Sequence, residues 1–192
     1  GLEIAYETWG RLSPEGDNVV VILHALSGSS HAFSSAENPE PGWWEGLWNE
    51  GAPLRSGNYH IICANIIGGC YGTTGPSSIN PHTGAPYAAN FPQVTLRDMI
   101  EAQRLFLAGL GIDKPVTLLG GSMGGMLILH WLCEHPEEVD RAICLATPPR
   151  SEGFTIALRS IQRDAILSDP RYRQGRYSED EFPEDGLSLA RK

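Results

Sequence analysis

No apolar run in these 192 residues approaches the roughly eighteen that a membrane-spanning helix needs. The N-terminus has neither a basic segment nor an apolar one, and no secretory signal is visible. The chain begins at Gly1 rather than Met, so residues upstream are expected to have been lost. Cysteine is scarce. Cys63, Cys70, Cys133 and Cys144 have no Cys-x-x-Cys spacing, which argues against a zinc site or a disulfide framework. Three of them sit in apolar stretches, so buried thiols in a reducing, cytoplasmic setting are expected. Positive charge is also in short supply, and a net charge of −9 argues against nucleic acid or an anionic membrane as partner.

What remains is an ordinary globular composition, 41% hydrophobic and 19% charged, in a chain of single-domain length. Leu2 to Trp9 alternates and reads as a strand. Val19 to Leu23 is β-branched and continuously apolar, as a strand covered on both faces should be. Tyr59 to Asn65 and Arg141 to Ala146 read as further strands, and Trp43 to Trp48 as a short helix that buries aromatic area. Thr95 and Asp98 have capping-box spacing, and Leu96, Met99, Ile100, Leu107 and Leu110 mark one face of the helix that follows. Strands alternating with helices predict a parallel, doubly wound sheet. The stretch from Ile66 to Pro92 has no period, and a loop of that length in a compact domain is usually functional. After Pro148 the character changes. Eight of the fourteen basic residues lie from Arg150 onward, with the acidic run Glu179-Asp180-Glu181. Phe154 to Leu167 reads as a helix, and Gly186 to Lys192 as the start of another.

The most informative stretch is Leu118-Leu119-Gly120-Gly121-Ser122-Met123-Gly124-Gly125. An apolar strand from Val116 runs into Gly-x-Ser-x-Gly, and an apolar helical segment, Met126 to Leu132, follows at once. Strand, Gly-x-Ser-x-Gly and helix make a nucleophile elbow, whose sharp turn lifts the serine hydroxyl clear of the sheet. Ser122 is therefore the candidate nucleophile, against a glycine-rich packing turn as the bland alternative. The residue after the nucleophile supplies one oxyanion donor, the Met123 N–H. The loop after the strand ending at Leu23 supplies the second, with Leu26 the best candidate. A serine hydroxyl also needs a base. In α/β-hydrolases the triad runs Ser, Asp or Glu, then His, and the only histidines after Ser122 are His130 and His135. His130 would lie about 12 Å up the same helix, out of reach of Oγ. The chain is thus expected to lack its general base. His24 reads as a satisfied structural histidine, and the arginines from Arg150 to Arg176 as a solvated surface.

Ala5-Tyr6-Glu7-Thr8-Trp9-Gly10, His24-Ala25-Leu26-Ser27-Gly28 and the segment Gly68-Gly69-Cys70-Tyr71-Gly72-Thr73-Thr74-Gly75-Pro76-Ser77-Ser78 together carry a family likeness. It continues through Phe91-Pro92, the elbow, and Gly186-Leu187-x-Leu189-Ala190-Arg191. The chain resembles homoserine O-acetyltransferases over nearly its whole length. The resemblance implies an α/β-hydrolase fold: a mostly parallel, doubly wound sheet, truncated before its last strands, with a core over residues 1–147 and the beginning of a helical cap over 148–192. On that view a strand that should be central becomes an exposed edge. It also implies ping-pong transfer in the cytoplasm. Acetyl-CoA, a co-substrate rather than a bound cofactor, acylates Ser122, and the L-homoserine hydroxyl then takes the acetyl group on the route to methionine. Leu26 and Met123 would be the oxyanion donors, and Arg191 would bind the amino-acid carboxylate with its two-pronged guanidinium. No metal is implied, and a homodimer is compatible. Residues 146–153 depart from the pattern of homoserine enzymes, so serine as acceptor and succinyl-CoA as donor stay open. A serine hydrolase and an inactive fragment remain rival readings.

Overall fold

The computed structural model describes residues 1–178 and 180–192; Glu179, the first residue of the acidic run, lies outside the described residues. The chain forms two compact units, residues 1–75 with 93–149 and residues 76–92 with 150–192. The long aperiodic stretch is thus divided between them.

The first unit is a five-stranded sheet: β1 (Tyr6–Gly10), β2 (Val19–Leu23), β3 (His60–Ala64), β4 (Val116–Gly121) and β5 (Val139–Leu145), in the order β1-β3-β2-β4-β5. β1 runs antiparallel to β3, and all other pairs are parallel. β2 is buried at every position. Its side chains alternate between two cores, Val19, Val21 and Leu23 on one face, Val20 and Ile22 on the other. The first core is closed by α1 (Leu96–Gly109) through Ile100 and Leu107, and by α2 (Met123–Glu134) through Leu127, Ile128 and Trp131. The second is closed by Trp9, Phe33 and Trp48, with Phe33 and Trp48 stacked at 4.9 Å. The tryptophan segment contributes packing, as its composition suggests, but its helix is only a short 3-10 turn, Glu45–Leu47. β1 starts later than the alternation predicts. Residues 3–5 bond to the Gly-rich loop instead: Glu3 N–H donates to Thr74 Oγ1 and Ala5 N–H to Thr73 Oγ1, both at 2.9 Å.

α1 begins with the expected capping box: Asp98 N–H donates to Thr95 Oγ1, and Thr95 N–H to the Asp98 carboxylate. Its buried face is Ile100, Ala102, Gln103 and Leu107, while Leu96 and Leu110 at the ends of the expected stripe are exposed. The cysteines correct the sequence reading. Only Cys63 is buried, and Cys70, Cys133 and Cys144 are exposed. Cys133 lies on the outer side of α2, and Cys144 on β5, an edge strand exposed at every position after Val139. Among the described residues no helix is long and apolar enough to cross a membrane.

In the second unit, residues 76–92 turn back on themselves through a bridge between Ile79 and Pro86. α3 (Gly153–Leu167) and α4 (Glu184–Ala190) pack closely at Gly186, where a Cβ would meet Ala165 O at 2.6 Å. Asp169 fixes the same junction, its carboxylate accepting from Gly186 N–H and Arg171 N–H at 2.9 Å each. Three arginines of this unit are engaged locally: Arg171 with Asp169, Glu184 and Asp185, Arg173 with Glu181, and Arg150 with Glu152.

Glycine decides how closely α2 approaches the sheet. A Cβ at Gly124 would lie 1.8 Å from Leu23 O, and one at Gly120 would lie 2.8 Å from the Gly124 carbonyl carbon. Gly124→Ala is expected to cost about 1–3 kcal/mol through forced backbone displacement. Gly109→Ala meets open space at the end of α1 and should be neutral or stabilising. Urea unfolding of the two variants checks the contrast.

Candidate active site

β2 and β4 are neighbours, with Leu23 paired to Gly120, so the chain leaves both strands side by side at their C-terminal ends. Ser122 follows β4 and precedes the first residue of α2. Its backbone lies at φ 53° and ψ −117°, a region that non-glycine residues occupy only under strain. The serine is exposed. The turn is tied down on the β5 side: Ser122 N–H donates to Leu145 O at 3.0 Å, and Met126 N–H to Ser122 O at 3.1 Å.

Thr147 adds a clamp that the sequence reading missed. Its hydroxyl lies 3.1 Å from Ser122 O and 2.9 Å from Leu145 O, and a Cβ at Gly125 would strike that hydroxyl at 2.0 Å. The only sequence signal for this role is its place just beyond the strand neighbouring the elbow.

Both sequence-derived oxyanion donors belong to this edge of the first unit. Met123 opens α2, and its N–H, in the first helical turn, has no intrahelical acceptor. Leu26 lies on the loop that leaves β2, with 68% of its surface exposed, and among the described residues nothing accepts from its N–H. The structure therefore brings Ser122, Met123 and Leu26 to neighbouring strand ends. Arg191 belongs to the second unit, where it is exposed at the C-terminal cap of α4, its N–H donating to Ser188 O at 3.3 Å.

Among the described residues, none of the six histidines bonds to Ser122 Oγ. His24 is buried and turned into the backbone; burial lowers its pKa, partly opposed by its bond to Ala25 O. His130 approaches Glu134 one helical turn on, at 3.7 Å. His135 lies 3.1 Å from Glu101. Glu101, Glu134 and His135 bring one ligand atom each within 4.8 Å of one another. Arg104 already holds Glu101 at 2.8 Å and Arg97 approaches Glu134 at 3.4 Å, so both carboxylates have arginine partners.

His31 has acceptors beside both ring nitrogens, Glu7 Oε2 at 2.9 Å and Glu40 O at 2.8 Å, an arrangement that favours the doubly protonated ring. Burial would lower its pKa, but Glu7 and the Glu40 carbonyl outweigh that and raise it above the usual 6.5. Stability from this pair is complete below the unfolded pKa and fades as pH rises through the higher folded value. Melting temperature should therefore fall as pH rises above the usual imidazole pKa of 6.5, and Glu7→Gln should flatten that part of the profile. A second expectation concerns the elbow. Ser122→Gly relieves the left-handed backbone and should raise stability by about 1 kcal/mol in a thermal melt, whatever it does to reactivity.

A family model described as alpha/beta hydrolase fold matches residues 18–192. Homoserine O-acetyltransferase from Moorella thermoacetica is 46% identical over 193 aligned residues, which cover 100% of this chain and 52% of that protein. Among solved structures, homoserine O-acetyltransferase from Bacillus anthracis matches with a TM-score of 0.89 at 35% identity, covering 98% of this chain and 53% of that one. Esterase E22 matches at 0.86 and 32%, covering 98% and 54%. The chain spans about half the length of the curated relatives it matches. With the mostly parallel sheet, the strained serine between β4 and α2, and the family model matched from residue 18 onward, the chain belongs to the alpha/beta hydrolase fold family.

Proposed function

We propose that the protein is a homoserine O-acetyltransferase in which Ser122 carries the acetyl group between acetyl-CoA and L-homoserine. The observation that carries this reading is the exposed Ser122 at φ 53°, flanked on neighbouring strand ends by two amides for which nothing among the described residues is an acceptor. Relatives of that name at 44–46% identity support it.

In this mechanism Ser122 Oγ attacks the thioester carbonyl while its proton passes to a general base. The Leu26 and Met123 N–H groups hold the oxyanion of the tetrahedral intermediate, each such donor typically contributing about 2.7–4 kcal/mol. The C–S bond then breaks and CoA leaves as the thiol. The homoserine hydroxyl attacks the acyl-serine, gives up its proton to the base, and takes the acetyl group as Ser122 is regenerated. Arg191 would pair with the substrate α-carboxylate through two parallel N–H···O bonds. A cytoplasmic location and a homodimer belong to the same proposal.

The test is thiol release from acetyl-CoA by the full-length protein, with L-homoserine, L-serine or neither present, and with succinyl-CoA as the competing donor. Without an acceptor, release should stop at about one thiol per enzyme; sustained release should need acetyl-CoA and L-homoserine together, and Ser122→Ala should reduce it by at least about 10³-fold. Release at the same rate without any acceptor would identify a hydrolase instead.

A further inference from the structure

We infer that His24 is a positioning residue for the oxyanion hole, a neutral imidazole that fixes the loop from which the Leu26 N–H is presented. The inference rests on the reading of Ser122 as nucleophile and Leu26 as donor.

Leu26 cannot place its own amide, because its side chain is largely in solvent and packs on little. The position of that N–H is therefore set by the two ends of its loop. At the first end, His24 is 97% buried. Its Nδ1 lies 2.8 Å from Ala25 O, and its Nε2 lies 3.3 Å from the Ile66 nitrogen. A carbonyl can only accept and a backbone N–H can only donate, so Nδ1 carries the proton and Nε2 is the acceptor. Ala25 O, in the peptide that supplies the Leu26 N–H, is gripped again by Gly28 N–H at 2.8 Å. Peptide planarity then couples the two atoms: fixing the Ala25 carbonyl fixes the direction of the Leu26 N–H on the opposite side of the same plane.

At the other end, Ser30 N–H donates to Asn65 Oδ1 at 2.6 Å, and Asn65 Nδ2 donates to Ser30 Oγ at 3.1 Å. Both ends are thus held by consecutive residues, Asn65 and Ile66, just beyond β3. Asn65 is anchored in turn by its own N–H to Ala5 O at 2.9 Å, and its carbonyl accepts from Thr73 Oγ1 at 3.2 Å. Glycine at 28 leaves room for this arrangement, since a Cβ there would lie 3.0 Å from His24 Cβ. Of the two braces, only His24 acts on the peptide that presents the donor.

Steady-state acylation by p-nitrophenyl acetate in the full-length protein tests this, with Ser122→Ala as the check on the underlying reading. His24→Ala should lower kcat by about 10²-fold, the scale expected when one donor is misplaced, and leave KM within about twofold. His24→Asn can put an amide N–H where Nδ1–H was and should recover much of the lost kcat. Leu26→Pro deletes the donor itself, and adding His24→Ala to it should cost nothing more, because both act on one interaction. An unchanged kcat in His24→Ala, no recovery in His24→Asn, or losses that multiply in the double variant would each overturn the proposal. Should His24→Ala not fold, the pair His24→Asn and Leu26→Pro decides alone: Asn must stay well above Pro in kcat. Turnover that survives Ser122→Ala would instead remove the nucleophile reading, which is a separate failure.

Discussion

A serine backbone held at φ 53° and ψ −117° is the constraint on which the rest of the first unit depends. Strain of this kind costs about 1–3 kcal/mol and persists only where its surroundings leave no alternative. Here they do so from both sides. Glycines at 120 and 124 let α2 come within reach of Leu23 O, a distance no side chain would allow. From the β5 side, Leu145 O takes the Ser122 N–H, and the Thr147 hydroxyl occupies the space that a Gly125 side chain would need. Replacing the glycines would push the helix away, and the turn would lose the packing that forces it. The sequence Gly-Gly-Ser-Met-Gly-Gly is therefore a statement about how near a helix lies to a sheet as much as about a reactive hydroxyl.

The second constraint concerns polar groups removed from water. His24, Ser30, Asn65 and Thr73 are all buried, and buried polar groups are tolerated only when their bonds are made. Ser30 and Thr73 bond to Asn65, and His24 bonds to the backbone of Ala25 and Ile66, so three segments are joined: the loop after β2, the end of β3 and the Gly-rich loop up to Gly75. Removing any member strands a partner at a cost of about 1–3 kcal/mol, so the network resists piecemeal change. Its placement beside the strand ends gives the loop around Leu26 an ordered base, although the loop's own side chain contributes almost nothing.

Several features were legible from residue patterns because the physics behind them is local. Val19 to Leu23 announces a strand buried on both faces, Thr95 with Asp98 announces a helix start, and the glycine spacing around Ser122 announces the elbow. Other features depend on partners remote in sequence. Nothing in Tyr6 to Gly10 distinguishes an antiparallel edge from a parallel one, because alternation is the same for both. Cys133 and Cys144 sit among apolar neighbours, yet burial depends on what packs against the element, and the outer side of α2 and the edge strand β5 leave them exposed. His24 was recognisable as structural in character, but its bond to Ile66 joins positions 42 residues apart. Arg191 owes its candidacy to resemblance alone, since an exposed arginine at a helix end carries no local signature.

The elbow also inherits the stability of its least protected neighbour. Ser122 is anchored to Leu145, the last residue of β5, and Thr147 lies two residues beyond. β5 occupies the end of the sheet, with β4 as its only strand partner among the described residues, and Ile143 and Leu145 are 47% and 42% exposed. Edge strands with open faces sit at the low end of local stability. A fluctuation that frees Leu145 from the elbow releases the hydrogen bond that holds Ser122 in its strained conformation, and the strain itself favours that release. Whatever covers β5 therefore also sharpens the geometry at Ser122, because a contact made only with the ordered strand shifts the local equilibrium toward it. Stability at the sheet edge and order at the nucleophile are, in this architecture, one quantity.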